Sequence, residues 1–233
     1  MAVDENVLKT LESVTAATVT TILLKKGFRN VWIRGAAPLA PGAKRVVGPA
    51  HTLRFTPYRE DLAGPASWST PNSTRAAVEA MPSGAVAVID AMGGRDAGVF
   101  GDILCQRMAV RGVAGLVTDG VVRDIAGVAA TGLPTWCAGA AAPPAVAAMH
   151  FTGWGDVIAC GGVTVAPGDI IVADDDGAVV IPADLAAEVA ALGAAQEDLE
   201  AWIVGEVKAG AALTGLYPPN EATLARYRAA QKK

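Results

Sequence analysis

The sequence predicts an α/β fold, and three features carry that reading. Ala85-Val86-Ala87-Val88-Ile89-Asp90 is an unbroken apolar run of strand length, as expected of a strand covered on both faces. A helix-like segment from Asp102 to Arg111 follows and is closed by Gly112. Gly115-Leu116-Val117-Thr118 is then a second buried run, ending in the Asp119-Gly120 turn. Strand, loop, helix, strand in this order is a βαβ unit, whose ligands collect at the carboxyl ends of its strands.

Composition agrees and bounds the function. A chain of 233 residues can bury a substantial core without disulfide or metal staples, and 52% apolar against 18% charged residues favours packing over disorder. The net charge of −4 comes without a concentrated basic patch, since Lys25-Lys26 is too short to count, so no nucleic-acid partner is expected. The N-terminus, Met1 to Asn6, has no basic region leading into an apolar one, and no uncharged apolar run approaches the roughly 20 residues of a bilayer crossing. The chain therefore reads as cytoplasmic, with no membrane partner. Cys105, Cys137 and Cys160 lack C-x-x-C spacing and read as small buried hydrophobes. With only His51 and His150, no Ser-His-Asp or metal–histidine pattern exists.

Taken in order, residues 5 to 26 place Val7, Leu11, Val14 and Val19 near helical spacing and predict one amphipathic helix ending at Gly27. Arg45 to Phe55 has strand character interrupted by Gly48-Pro49, and the polar stretch from Pro57 to Ser73 predicts a long surface loop. Arg75 to Met81 reads as a helix. Beyond Leu133, short strands at Pro134–Cys137, 157–160, 163–165, 169–173 and 178–181 alternate with turns, predicting antiparallel pairing in a second β layer or barrel-like half. Pro182-Ala183-Asp184 opens a long C-terminal helix with Leu185, Val189, Leu192, Leu199, Ile203 and Val207 on one face, able to cover its own core or reach a neighbouring subunit. No repeat and no linker marks a boundary, so residues 1–233 read as one domain with a helical extension over 184–233.

Chemistry concentrates in two consecutive loops. Asp102 stands where a glycine-rich loop, Gly93, Gly94, Gly98 and Gly101, enters a helix, as an N-cap would. The N–H groups of Ile103 and Leu104 at that positive helix end suit an anionic oxygen. Arg123-Asp124 follows the next strand. An aspartate there can hold a hard divalent cation, and the adjoining guanidinium can neutralise a carboxylate or enolate. Asp174-Asp175-Asp176-Gly177 lacks the alternating ligands and distal glutamate of a calcium loop and reads as turn chemistry.

These motifs together resemble one family. Gly101-Asp102-Ile103-Leu104, Thr118-Asp119-Gly120-Val121-Val122-Arg123-Asp124, the segment Cys160 to Asp169 and the segment Asp174 to Pro182 are similar to the RraA-like family, which includes class II pyruvate aldolases acting on 4-hydroxy-4-methyl-2-oxoglutarate and 4-carboxy-4-hydroxy-2-oxoadipate. The resemblance implies an α-β-β-α layered sandwich assembled as a homotrimer or homohexamer, with the C-terminal extension at a subunit interface. It implies Mg2+ or Mn2+ held by Asp124, Arg123 as the group that binds substrate and stabilises an enolate, and Asp102 positioning a metal-bound water. The pyruvyl carboxylate would meet Gly101, Ile103 and Leu104, with Asn72 nearby and Glu197 or Glu200 of a neighbouring subunit in the outer metal surroundings. The implied activity is retro-aldol cleavage of a 4-hydroxy-2-oxo acid to pyruvate, with oxaloacetate decarboxylation alongside; the alternative is a regulator that binds and inhibits an endoribonuclease. Two departures bear on substrate. Gly127 stands where an acidic residue is common in the aldolases, and Thr20-Thr21-Ile22-Leu23 replaces Ser-Asp-Ala-Leu.

Overall fold

The computed structural model describes residues 3–231, apart from the side chains of Pro65 and Trp68; Met1, Ala2, Lys232 and Lys233, the ends of the expected domain, lie outside the described residues. Two helices open the chain, α1 (Glu5–Leu11) and α2 (Ala16–Lys25), where one helix over 5–26 was expected. The axes differ by 109°. The break has a local cause: Thr15 leaves helical geometry and its hydroxyl accepts the Thr18 N–H, starting a new helix, while Val14 turns into the core. No single helix among the described residues is long and apolar enough to cross a membrane.

The strand β1 (Ala37–Pro38) precedes β2 (Val46–Pro57), which runs unbroken through Gly48-Pro49 instead of being interrupted there. Pro49 is tolerated because β2 changes partners at that point. Val46–Pro49 pairs antiparallel with β9 (Ile170–Asp174), and Ala50–Arg54 pairs parallel with β3 (Val86–Asp90). Gly48 is needed for close approach, since a Cβ there would lie 2.3 Å from the Gly84 carbonyl oxygen. The expected loop after β2 holds only a 3-10 turn, Pro65–Ser69, before α3 (Thr74–Ala80), capped by Ser73.

The βαβ unit forms as expected: β3, α4 (Asp102–Val110) and β4 (Gly115–Thr118), with β3 and β4 parallel. A further helix, α5 (Ile125–Ala130), leads to β5 (Thr135–Cys137), which pairs parallel with β4. Pro134–Cys137 therefore extends the first β layer and does not begin the antiparallel one, because a helical crossover returns the chain in the same direction. The strand β6 (Met149–Trp154) had no clear sequence signal and adds antiparallel to β2 with a register shift at Arg54/Phe55. The hairpins β7 (Ile158–Cys160) with β8 (Val163–Val165), and β9 with β10 (Gly177–Ile181), are antiparallel as expected, the latter turning through Asp175-Asp176.

The large sheet runs β1-β5-β4-β3-β2-β9-β10, and residues 31–38 nearly close it. Ile33 N–H and Val180 N–H bond across to Ala178 and Val31 on one edge, while Ala37–Pro38 pairs with β5 on the other. Three cores fill the gaps between four layers. One, with Leu11, Val19, Val179 and Val189, lies under α1, α2 and α6 (Ala186–Lys208). The second, around Trp136, Val88, Val163 and Ile171, lies between the β layers, and the third, with Leu53, Phe100, Met108 and Val128, lies under α3, α4 and α5. This is the α-β-β-α sandwich.

The buried stripe of α6 differs from the expected face. Ala186, Val189, Ala190, Gly193 and Ile203 are buried, whereas Leu192 and Val207 are exposed. Small residues win because α6 lies close on α1 and α2: a Cβ on Gly193 would sit 2.6 Å from Val14 Cγ1. Beyond it, α7 (Glu221–Ala230) folds back so that Tyr227 and Arg226 contact the Trp202 ring.

Candidate functional site

The loops after β3 and β4 run side by side, as the βαβ reading required. Val99 N–H bonds the Val121 carbonyl (2.8 Å) and Arg123 N–H bonds the Phe100 carbonyl (2.9 Å). Gly98 permits this approach, because a Cβ there would fall 2.5 Å from the Arg123 nitrogen. The loops are anchored behind by Asp119, which is only 5% exposed. Its carboxylate accepts the N–H groups of Ala91 (2.8 Å), Gly93 (3.0 Å) and Gly161 (3.0 Å). Asp90 accepts from Met92 and Ala159, and burial pushes its carboxyl above the usual range, reinforced by the nearby Asp119 charge. Met92 and Gly93 both adopt left-handed backbone conformations, which turns three successive N–H groups onto these two carboxylates.

At the front of these loops is an open cleft of about 320 Å³ lined by Thr74, Arg75, Gly98 to Leu104, Arg123, Asp124, Pro144 and Ala145. Asp102, Arg123 and Asp124 share this cleft, as their spacing implied. Arg123 Nε donates to Asp124 Oδ2 at 3.0 Å, with the two side chains 36% and 45% exposed. Asp124 stands in the left-handed region (φ 53°) at the start of α5, and its side chain caps nothing there. Aspartate is among the few non-glycine residues that tolerate this region, and here it lets the Asp124 carbonyl accept the Val128 N–H (2.9 Å) while its side chain stays in the cleft. Gly101 makes room for the result: a Cβ at 101 would lie 2.7 Å from Asp124 Oδ2.

Asp102 is not the N-cap. Gly101 takes that position and Asp102 is the first helical residue, its Oδ1 accepting the Ile103 N–H at 2.7 Å. The Ile103 N–H is thus engaged by Asp102, and an incoming carboxylate must exchange with that bond. Asn72 lies outside the cleft lining. Its Nδ2 donates to the Thr152 carbonyl at 2.9 Å, and it borders a small adjoining pocket with Ser67, Thr74 and His150. Glu197 and Glu200 stand on α6, in the helical layer across the sandwich. Glu197 accepts from the N–H and hydroxyl of Thr15 (2.9 and 2.8 Å); burial raises its carboxyl, but Thr15, Thr18 and the Arg45 charge together outweigh burial and leave it below the usual range. Glu200 accepts from Gln196 Nε2 at 2.6 Å.

Arg75 and Thr74 in the cleft wall had no sequence signal beyond opening a helix, because the docking of α3 brings them there. The three cysteines are buried, and burial, aided by the Asp102 charge, pushes the Cys105 thiol up to about 12. They are unreactive core residues, as their spacing suggested. Among the described residues, no group of three or more His, Cys, Asp or Glu side chains converges as a metal cage.

The family model described as Aldolase/RraA matches residues 15–180. A Halalkalibacterium halodurans protein named "Putative 4-hydroxy-4-methyl-2-oxoglutarate aldolase" is 39% identical over 141 residues, 59% of this chain and 60% of the relative's own length. An uncharacterized protein from Pseudomonas syringae pv. tomato superposes with TM-score 0.80 at 28% identity, covering 93% of this chain and 99% of that one. Streptomyces coelicolor RraAS2, described as an unusual member of the RNase ES inhibitor RraA protein family, superposes with TM-score 0.78 at 33% identity, covering 87% and 97%. With the matched model spanning both site loops and most of the sandwich, the chain belongs to the RraA-like family.

Proposed function

We propose that the chain is a divalent-metal-dependent lyase that releases pyruvate from a 4-hydroxy-2-oxo acid and decarboxylates oxaloacetate alongside. The observation that carries this reading is the Arg123–Asp124 pair in the Asp102 cleft, with the Asp124 side chain making no cap hydrogen bond to α5 and left facing the cleft.

The donor set fits a hard cation. Asp124 and Asp102 offer carboxylate oxygens, and the missing Cβ of Gly101 leaves a cradle beside Asp124 Oδ2. Magnesium-type ions use one or two carboxylates and keep water and substrate oxygens as further ligands, so a sparse set suits them better than a full protein cage. Asp124 would hold the ion, with Glu200 or Glu197 of a neighbouring subunit in a homotrimer or homohexamer supplying outer contacts. When bound, Mg2+ or Mn2+ supplies Lewis-acid polarisation of a 2-oxo group.

The chain's own residues supply the rest. The Arg123 guanidinium places fixed positive charge where the C2 oxygen gains electron density, an effect worth about 3 kcal/mol for comparable donors. Asp102 accepts the C4 hydroxyl proton, directly or through one water. The C3–C4 bond then breaks, its electron pair passes to C3 and the C2 oxygen, the distal fragment leaves as an aldehyde or ketone, and a proton returned to C3 completes pyruvate. Oxaloacetate loses CO2 by the same flow of electrons without that base. The N-terminus of α4 orients the substrate carboxylate.

The test is pyruvate release from oxaloacetate and from 4-hydroxy-2-oxo acids, with Mg2+ and with EDTA. Turnover that needs the ion, disappears in Asp124→Ala and falls about 10²-fold in Arg123→Ala is expected; unchanged rates in both folded variants contradict the assignment. Likeness to RraAS2 supports a second reading, a regulator of an endoribonuclease. It requires ribonuclease binding that survives both substitutions and no pyruvate release.

A further inference from the structure

Asp102 stands on a ridge between two depressions. On one side is the Arg123 cleft. On the other is a groove of about 410 Å³ between α4 and α5, lined by Asp102, Ile103, Gln106, Gly127, Ala130 and Thr131. Gly127 lies directly against the ridge: a Cβ there would sit 2.8 Å from Asp102 Cβ and 2.9 Å from its Oδ2. The bare position therefore lets Asp102 take this pose and keeps the groove open beside it.

Charge divides the two sides. The cleft lining holds two cations, Arg75 and Arg123, beside the carboxylates of Asp102 and Asp124, whereas the groove lining holds the Asp102 carboxylate and no cation. On the lyase reading, Asp102 takes the C4 hydroxyl proton of a 2-oxo acid whose carboxylate end lies in the cleft, so the C4 substituent would come beside the groove that Asp102 also lines. A second carboxylate on that substituent would shed water, meet a like charge and gain no counterion. A neutral fragment bears none of these costs, and Ile103, 80% exposed, offers it apolar surface.

We propose that this groove seats the fragment that leaves at C4, and that it selects 4-hydroxy-2-oxo acids whose distal fragment carries no carboxylate, so that the second product is a neutral aldehyde or ketone. The proposal rests on the pyruvate-lyase reading above. The bond changes are those of the retro-aldol step already given: the C4 hydroxyl proton leaves, the C3–C4 bond breaks, and C4 becomes the carbonyl carbon of the uncharged product.

The experiment compares kcat/KM with Mg2+ for 4-hydroxy-2-oxopentanoate, whose distal fragment is acetaldehyde, and 4-hydroxy-4-methyl-2-oxoglutarate, whose distal fragment is anionic. Oxaloacetate runs as the parallel substrate. The neutral substrate is expected to lead by about tenfold or more, the size of one missing charge-assisted contact. Gln106→Arg, or Thr131→Arg should the first fail to fold, is expected to move that ratio about tenfold toward the anionic substrate. Equal or better use of the anionic substrate by the parent, or a ratio unmoved in both folded variants, overturns the groove assignment while leaving the lyase reading intact. No pyruvate from any of the three substrates overturns the lyase reading and the groove with it.

Discussion

One pair of aspartates, Asp90 and Asp119, opens the loops that follow β3 and β4, and a second pair, Asp102 and Asp124, closes them under opposite conditions. Asp90 and Asp119 are each 5% exposed, and together they accept five backbone N–H groups from two separate segments, 91–93 and 159–161. Asp102 and Asp124 stand in the open cleft; Asp124 pairs with Arg123, and Asp102 accepts the N–H of the residue beside it. The rear pair is explained by the fold, because its hydrogen bonds tie residues 91–93 to residues 159–161 and offset part of the desolvation of two buried carboxylates. The front pair is left over after the fold has been accounted for. Asp124 stands in a left-handed backbone conformation at the start of α5, yet its carboxylate makes no bond to the helix it opens. That contrast separates carboxylates that build the site from carboxylates available for chemistry.

The sharpest way to break the comparison is Asp119→Ala. It removes the acceptor of one buried and two part-buried N–H groups, so stability is expected to fall by about 3 kcal/mol, roughly 6 to 12 °C in melting temperature for a chain of this size. A melting temperature within about 2 °C of the parent, a shift worth less than about 1 kcal/mol here, would show that the rear carboxylate anchors nothing. Arg123→Ala should do the reverse, lowering pyruvate formation by about 10²-fold while the melting temperature stays put. Gly98→Ala ought to damage both, since the Cβ meets Arg123 backbone: a loss of about 2 kcal/mol together with reduced turnover, read by denaturant titration and the pyruvate assay.

The smallest effect belongs to the far layer. Glu197→Gln is expected to cost about 1 kcal/mol near neutrality by weakening bonds to Thr15. Glu197 sits below the usual carboxyl range, so its contribution is present above the unfolded value and fades as pH falls through the folded one. Parent and variant stabilities should therefore converge in acid. Asp90 has the opposite sign: raised by burial, it favours the fold below the unfolded value and loses that contribution as pH rises through the raised one.

What could be read from the chain follows the range of the forces involved. The strands β3 and β4 and helix α4 were legible because apolar runs bounded by glycines are local signals, and the βαβ order then placed Asp102 and Arg123-Asp124 in adjoining loops. The break at Thr15 had a local signature, the capping threonine, hidden beneath an apolar periodicity that continued across it. Other features depend on distant partners. The strand β6 exists because β2 offers it an edge, and the stripe of α6 is chosen by Val14 pressing on Gly193. Asn72 carries no periodic signal, and its attachment to β6 turns it toward the neighbouring pocket. Arg75 enters the cleft only once α3 has docked. The groove beside Asp102 depends on a missing side chain at 127, a departure visible in sequence whose consequence needed the α4–α5 geometry.

The account turns on the front pair being expendable for folding and required for chemistry, and Asp124→Gly tests both halves in one protein. Glycine accepts the left-handed conformation without penalty, so the variant should melt within about 2 °C of the parent or slightly above it, yet release no pyruvate in Mg2+ from substrates the parent cleaves. A folded Asp124→Gly that turns over at the parent's rate would contradict the claim.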